Sequence, residues 1–396
     1  MIGTVQAIDP APHRAGVWTA ILYIAIAGNM FIALSPIFWG GFSHYLHFDD
    51  ALIGNIMSSE FFGATAATVA GILYMHRERM NLRNVAFVAL AVYGVGNYLT
   101  PLFFDHPQEL RAVRFVCGLS SGTTFLAAAT AITALKDASR LIAVFYGSPY
   151  LTGTVFQPLM QVIFGKWGFE TSFLLITAAV VGSVAVFPFF PKFAGRAAAA
   201  QDGVAVGKPS LTLLLLLASG LLLQYVANSG VWLFFERLGT LSGHTEQTAA
   251  NIVGLSTGMG LVGTAVAALL AHKLKPLYGI LIGTGAIMLS SAALHFSRNL
   301  AVYAGSVATF NVMITFLTPF YFILLVRTFH PAKAVIVGNI CLMLGFAFGP
   351  LLIGYTVSGD DFSASINVTI GLFVMSIVFV LVYAGVAKRL QDVSRA

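Results

Sequence analysis

The sequence predicts an all-α integral membrane protein in which twelve transmembrane helices form two pseudo-symmetric six-helix bundles. Three observations carry that reading. Of the 396 residues 58% are hydrophobic and only 9% charged, too little polar surface for a protein dissolved in water. Twelve apolar stretches, each near the ~20 residues needed to cross ~30 Å of hydrocarbon, use up nearly the whole chain. Of the 21 Lys and Arg residues 16 fall into every second gap between those stretches, and cationic loops stay in the cytoplasm, so an even number of spans puts both termini inside.

Taken in order, the expected spans are 18–45, 51–74, 84–104, 109–135, 141–164 and 168–190, then 210–235, 247–271, 276–296, 300–326, 334–357 and 364–387. The first run starts near Trp18 behind Arg14. It exceeds a signal-peptide core and lacks a small-residue cleavage pattern, so it reads as a retained helix. The gap after span 2 holds Arg77, Arg79 and Arg83, and the gap after span 4 holds Lys136 and Arg140. The longest interior polar segment runs from Pro191 to Pro209, with Ala197 to Ala200 followed by small polar residues. It reads as a flexible cytoplasmic linker, 191–209, between an N-terminal bundle, 1–190, and a C-terminal bundle, 210–396.

The net charge of +6 follows from this loop bias and points to no nucleic-acid partner. Cys117 and Cys341 both fall in spans and offer neither a disulfide framework nor a metal-binding spacing. The chain has no phosphate-binding Gly-Lys-Ser/Thr loop and no His-Glu-x-x-His helix, which disfavours an enzyme; no cofactor and no metal are called for. A channel is a further class, disfavoured because a 6+6 chain with a central linker lacks an obvious ring of subunits.

The halves share faint internal symmetry. Gly153, Pro158 and Leu159 of span 5 match Gly345, Pro350 and Leu351 of span 11 at a single offset, and Gly54 and Gly63 of span 2 match Gly254 and Gly263 of span 8 at another. Repeats of this kind are common in transporters, with the substrate site between them.

Span 4 reads Arg114-Phe-Val-Cys-Gly118-Leu-Ser-Ser-Gly122, a charge followed by glycines that form a smooth stripe for helix packing. With this motif the whole chain resembles the major facilitator superfamily. The loop after span 2 departs from the family pattern: Gly71 and the gate arginines Arg77 and Arg79 are present, but Met75 stands where an Asp is expected. In span 5 the antiporter signature is imperfect, Gly147-Ser-Pro149, whereas span 11 carries Gly345, Gly349-Pro350 and Gly354. Gly349 and Pro350 are therefore gating candidates, since Gly and Pro permit bending and close approach where the halves rock.

Glu60, about ten residues into span 2, reads as the solitary mid-span carboxylate; the other acids, Glu236 included, lie in loops or near span ends. A charge facing lipid costs several kcal/mol, so Glu60 must face protein or water. Arg114 either pairs with it or snorkels to the surface. Burial favours the protonated carboxyl and a nearby cation the ionised one, which together make a proton switch, while a purely structural ion pair is the competing reading. The resemblance places spans 1, 4, 7 and 10 around a cavity, which makes Asn29, Gln224, Asn228 and Asn311, with Gln157 and Gln161 of span 5, substrate-contact candidates. Tyr146, Tyr150, Trp232 and Phe310 are possible aromatic lining. The expected function is proton-coupled, or sodium-coupled, transport of a small organic solute, aromatic or amphipathic, by a monomer in a bacterial inner membrane. Drug efflux by proton antiport is the alternative.

Overall fold

In the computed structural model the described residues are 14–74, 80–132, 135, 138–192, 210–329, 331–357, 359 and 361–395. Thirteen α-helices follow one another: α1 (Arg14–Gly28), α2 (Met30–Leu46), α3 (Asp50–Tyr74), α4 (Leu82–Leu99), α5 (Pro107–Ile132), α6 (Ala138–Trp167), α7 (Thr171–Gly182), α8 (Leu211–Leu241), α9 (Glu246–Leu270), α10 (Pro276–Ala293), α11 (Leu300–Thr328), α12 (Pro331–Thr356) and α13 (Ser363–Arg395). Nine spans among the described residues are long and apolar enough to cross a membrane. The first combines α1 and α2. With α3 and α6, of 25 and 30 residues, and with α7 extended by short turns to Phe189, they make the expected twelve. Arg77, Arg79 and nearly all of segment 191–209 lie outside the described residues.

The one span that differs in kind is the first. Expected as a single helix, it breaks at Asn29, whose φ of −121° and ψ of 12° leave the helical region. The break frees carbonyls at the end of α1, and Asn29 answers this itself: its Nδ2 donates to Ala25 O at 3.2 Å. Prolines inside four helices, Pro36, Pro149 with Pro158, Pro319 and Pro350, remove further backbone donors from the helical ladder.

The glycine matches seen in the sequence become matched contacts. A Cβ added to Gly54 of α3 would strike the backbone of Pro350 on α12, and one added to Gly254 of α9 would strike the ring of Pro158 on α6. Gly63 meets the backbone of α5 at Phe115, and Gly263 meets α11 at the equivalent Val312. Under the same correspondence Arg114 falls on Asn311 and Glu60 on Gly260, so only the first half carries the charge pair.

Both described chain ends lie at what we term the near end. The halves touch through α3 with α12, α6 with α9 and α2 with α8. Among the described residues, the hydrogen bonds, ion pairs and ring contacts that join the halves lie in the far part of these helices: Phe61 stacks on Phe346 at 5.4 Å, Trp39 meets Phe234 edge-on at 5.6 Å, and Asn55 donates to the Tyr355 hydroxyl at 3.0 Å.

Candidate functional site

The site begins with a helix crossing. Gly118 of α5 lies against the backbone of Glu60 and Gly63 of α3 against that of Phe115 and Leu119, so no side chain separates the two helices. Such close approach needs glycine, and it carries Glu60 and Arg114 toward each other inside the first half. Arg114 is fully buried and Glu60 is 1% exposed. The snorkelling alternative for Arg114 is therefore overturned, because α5 starts at Pro107 and the side chain turns inward between α2, α3 and α4.

Both Nε and Nη2 of Arg114 donate to one oxygen of the carboxylate, Glu60 Oε2, at 3.0 and 2.5 Å. Its Nη1 donates to Asn97 Oδ1 at 3.1 Å and Thr100 Oγ1 at 3.2 Å, and the guanidinium carbon sits 3.7 Å from the centre of the Phe31 ring. The backbone N–H of Phe31 donates to the Tyr93 hydroxyl at 3.1 Å, which fixes that ring. A planar fork can meet four partners in this way and a point charge cannot. Glu60 Oε1, in contrast, is buried without a hydrogen-bond partner among the described residues. Phe31, Tyr93, Asn97 and Thr100 were not singled out in the sequence; the polar pair Asn97 and Thr100 one turn apart late in span 3 was the available signal.

The other predicted residues disperse. Asn29 accepts from Ser121 Oγ at 3.0 Å, joining the α1–α2 break to α5. Gln157 lies where α2, α6 and α9 meet, donating to Ala33 O at 3.0 Å and accepting from Thr257 at 3.5 Å. Gln224 accepts from Thr284 of α10 at 3.1 Å, and among the described residues neither its Nε2 nor Asn228 Oδ1 has a hydrogen-bond partner. Asn311 donates to Val307 O within its own helix. Trp232 approaches Phe346 edge-on at 6.1 Å, Tyr150 faces Gly260 across the halves, and Tyr146 is exposed beside Phe125 and Phe145. Phe310 is a core residue, packed between Phe235 and Phe373. Gly349 and Pro350 sit between α8 and α3, Gly349 facing Ser229 and Val226.

Gln161 belongs elsewhere: it donates to Glu246 Oε2 at 2.7 Å, at the far end, beside a contact of His44 Nδ1 with Glu246 Oε1 at 2.9 Å. The two edge a cavity of about 870 Å³ between the halves. Glu60 is the mid-span carboxylate, but burial is not confined to it: Glu236 is 2% exposed and Asp50, which accepts from Trp39 Nε1 at 2.9 Å, is buried too. Span ends look solvated in a sequence; here inter-half packing covers them.

Two matched helical halves, joined across a shared interface and carrying a charge pair inside one of them, define a multi-pass membrane transporter. The chain belongs to the Major Facilitator Superfamily, whose family model matches residues 19–350. Its fold is similar to that of the nucleoside transporter NupG (15% identity, 93% of this chain and 99% of that one, TM-score 0.71) and of a D-xylose-proton symporter (13%, 93% and 97%, 0.70). It is also similar to a bacterial homolog of the human lysosomal transporter Spinster in an inward-facing, unoccupied conformation (12%, 95% and 96%, 0.67). No curated protein sequence matches the chain significantly.

Proposed function

We propose that this transporter moves a small organic solute across a bacterial inner membrane by alternating access, coupled to protons, with Glu60 the carboxyl that takes up the coupling proton and Arg114 its counter-charge. The observation that carries the reading is the asymmetry of the pair: one carboxylate oxygen accepts both guanidinium bonds while Oε1 is buried and unpartnered, open to a proton. Movement of the halves reaches this carboxyl through its neighbour. Phe61 stacks on Phe346 of α12, so parting α3 from α12 shifts the turn that holds Glu60. A proton favours whichever state releases the carboxylate from Arg114, and substrate binding biases the same equilibrium.

The positive-inside bias makes the near end cytoplasmic, so the gathering of inter-half hydrogen bonds, ion pairs and ring contacts, among the described residues, in the far part of the helices supports a state open to the inside. Domain limits of 1–190 and 210–396 with a cytoplasmic linker at 191–209 suit this rocking. Trp232 and Tyr150, with Gln224 Nε2 and Asn228 Oδ1, which have no hydrogen-bond partner among the described residues, offer an aromatic surface with a few hydrogen-bonding groups, which suits an amphipathic solute.

A thermal-shift screen against organic acids, phenolics, sugars and organic cations identifies a ligand first, since binding raises the midpoint by mass action. In liposomes loaded with that ligand, Glu60→Gln is expected to retain exchange but to lose accumulation driven by a pH gradient; the direction of the driving gradient assigns symport or antiport. Accumulation at the wild-type level in Glu60→Gln removes the proton role. Joint loss of binding, exchange and accumulation assigns Glu60 to structure alone.

A further inference from the structure

We propose that Glu236 is a second proton site, one that senses pH on the far side and sets whether the far end is closed, without carrying a proton across the membrane. The inference goes beyond the role given to Glu60 and does not depend on it.

Glu236 lies on α8 one turn and a half before that helix ends, and its carboxyl is inserted across the interface into the first half. It occupies the space over Gly40 of α2, where a Cβ would overlap the carboxyl group itself. Oε2 is enclosed and has no hydrogen-bond partner among the described residues. Enclosing an ionised carboxylate without a partner is costly, whereas a protonated one is tolerated. The helices α2 and α8 contribute the surfaces that must part when the far end opens, since Trp39 and Phe234 also meet there. Opening therefore hydrates this carboxyl, and closing dehydrates it. A group that changes solvation with a conformational equilibrium links that equilibrium to protons: closure takes up a proton at Glu236, and reopening returns it to the same side.

The groups around it are of mixed charge. From α2 come His44 and Tyr45, from α3 Asp50, from α6 Lys166, from α8 Arg237, from α9 Glu246, from the turn before α9 His244, and from α11 Tyr303. Glu246, the nearest carboxylate to lie in the same cavity, is held by His44 and Gln161, and Arg237 reaches toward Asp50 at 3.9 Å. Arg237 acts on Glu236 through its charge, but no described group donates a hydrogen bond to Glu236 Oε2. Acidification thus closes the far end through Glu236, while the His44–Glu246 pair is an alternative origin of pH dependence that the test must separate.

The readout is far-side access to Val162, which lines the cavity. With Cys117 and Cys341 replaced by Ser, Val162→Cys is labelled by a membrane-impermeant maleimide applied to the far side of oriented vesicles. Rates are normalised to the intrinsic thiolate reactivity at each pH, measured on a small thiol. In this background normalised labelling is expected to fall as pH is lowered from about 8.5 to about 5.5, by up to about tenfold per unit, the limit for one linked proton. Adding Glu236→Gln, which keeps shape but fixes the neutral form, is expected to give slow labelling at every pH. Adding Gly40→Ala, which fills the carboxyl's place, is expected to give fast labelling at every pH. Persistence of the pH dependence in Glu236→Gln assigns it to His44, His244 or Glu246 and overturns the proposal, as does unchanged labelling in Gly40→Ala. Should Glu236→Gln fail to fold, the Gly40→Ala result decides alone. Gradient-driven accumulation by Glu236→Gln is expected to keep its proton stoichiometry; loss of coupling there overturns the non-carrier role, whatever Glu60 does.

Discussion

Arg114 shows how much a single buried cation demands. Its four contacts, to Glu60, Asn97, Thr100 and the Phe31 ring, use the planarity of the guanidinium and not only its charge. Arg114→Lys retains the charge but cannot reach Glu60 and the α4 pair together, so transport is expected to fall by more than about tenfold while the protein still reaches the membrane. Uptake normalised to the amount of folded protein checks this, and wild-type flux in the lysine variant refutes the requirement for a fork. Asn97→Leu leaves Arg114 Nη1 with Thr100 alone and is expected to cost about 1–3 kcal/mol, read as a lower thermal midpoint in detergent. Thr100 shares that nitrogen, so Thr100→Val is expected to cost less than Asn97→Leu.

At the scale of elements, the crossing of α3 over α5 exists because glycines occupy both sides of it. Gly118→Ala would drive its methyl group into the backbone of Glu60, which cannot rotate away as a side chain can. Overpacking of this type costs about 1–3 kcal/mol, and because it separates α3 from α5 it is expected to weaken the ion pair as well. Gly165→Ala is the control: nothing lies near its added Cβ, and helix propensity favours alanine there. Equal thermal midpoints for the two variants would show that the crossing is not tight. The second half closes its equivalent crossing differently, with Thr315 donating to Gly260 O at 2.7 Å in place of a charge pair.

For the whole molecule, the distribution of inter-half contacts is the informative quantity. If the halves rock, the pairs that meet at the far end must separate once per cycle. Cysteines introduced at Asn55 and Tyr355, which share a hydrogen bond, are expected to cross-link in the absence of Cys117 and Cys341 and to stop transport until reduced. Continued flux through the cross-linked protein would exclude alternating access by rocking at this contact. The orientation is checked independently: a cysteine at position 202 in the linker is expected to react only with reagent on the cytoplasmic side, and strong labelling from outside would invert the topology.

Fold class, span number and the pairing of the two halves were legible in the sequence, because a bilayer imposes length and polarity on every span and leaves its cations on one side. The repeated glycines were legible for a related reason, since close helix approach tolerates few residue types, and Gly54 with Gly254 and Gly63 with Gly263 indeed make equivalent contacts. Glu60 and Arg114 stood out by the cost of a charge in hydrocarbon, but their pairing, and the inward turn that removes Arg114 from the surface, depended on how α3 crosses α5. The break at Asn29 escaped notice because hydropathy does not register a single residue leaving the helical region. Gln161 was named as a substrate-contact candidate by its span alone, and its depth along α6, which puts it on Glu246 at the far end, is a matter of tertiary structure. Glu236 was placed near a span end, where a carboxylate is ordinarily solvated, and only the tertiary structure, by laying α2 across α8 with a glycine at the contact, decided that this one is enclosed.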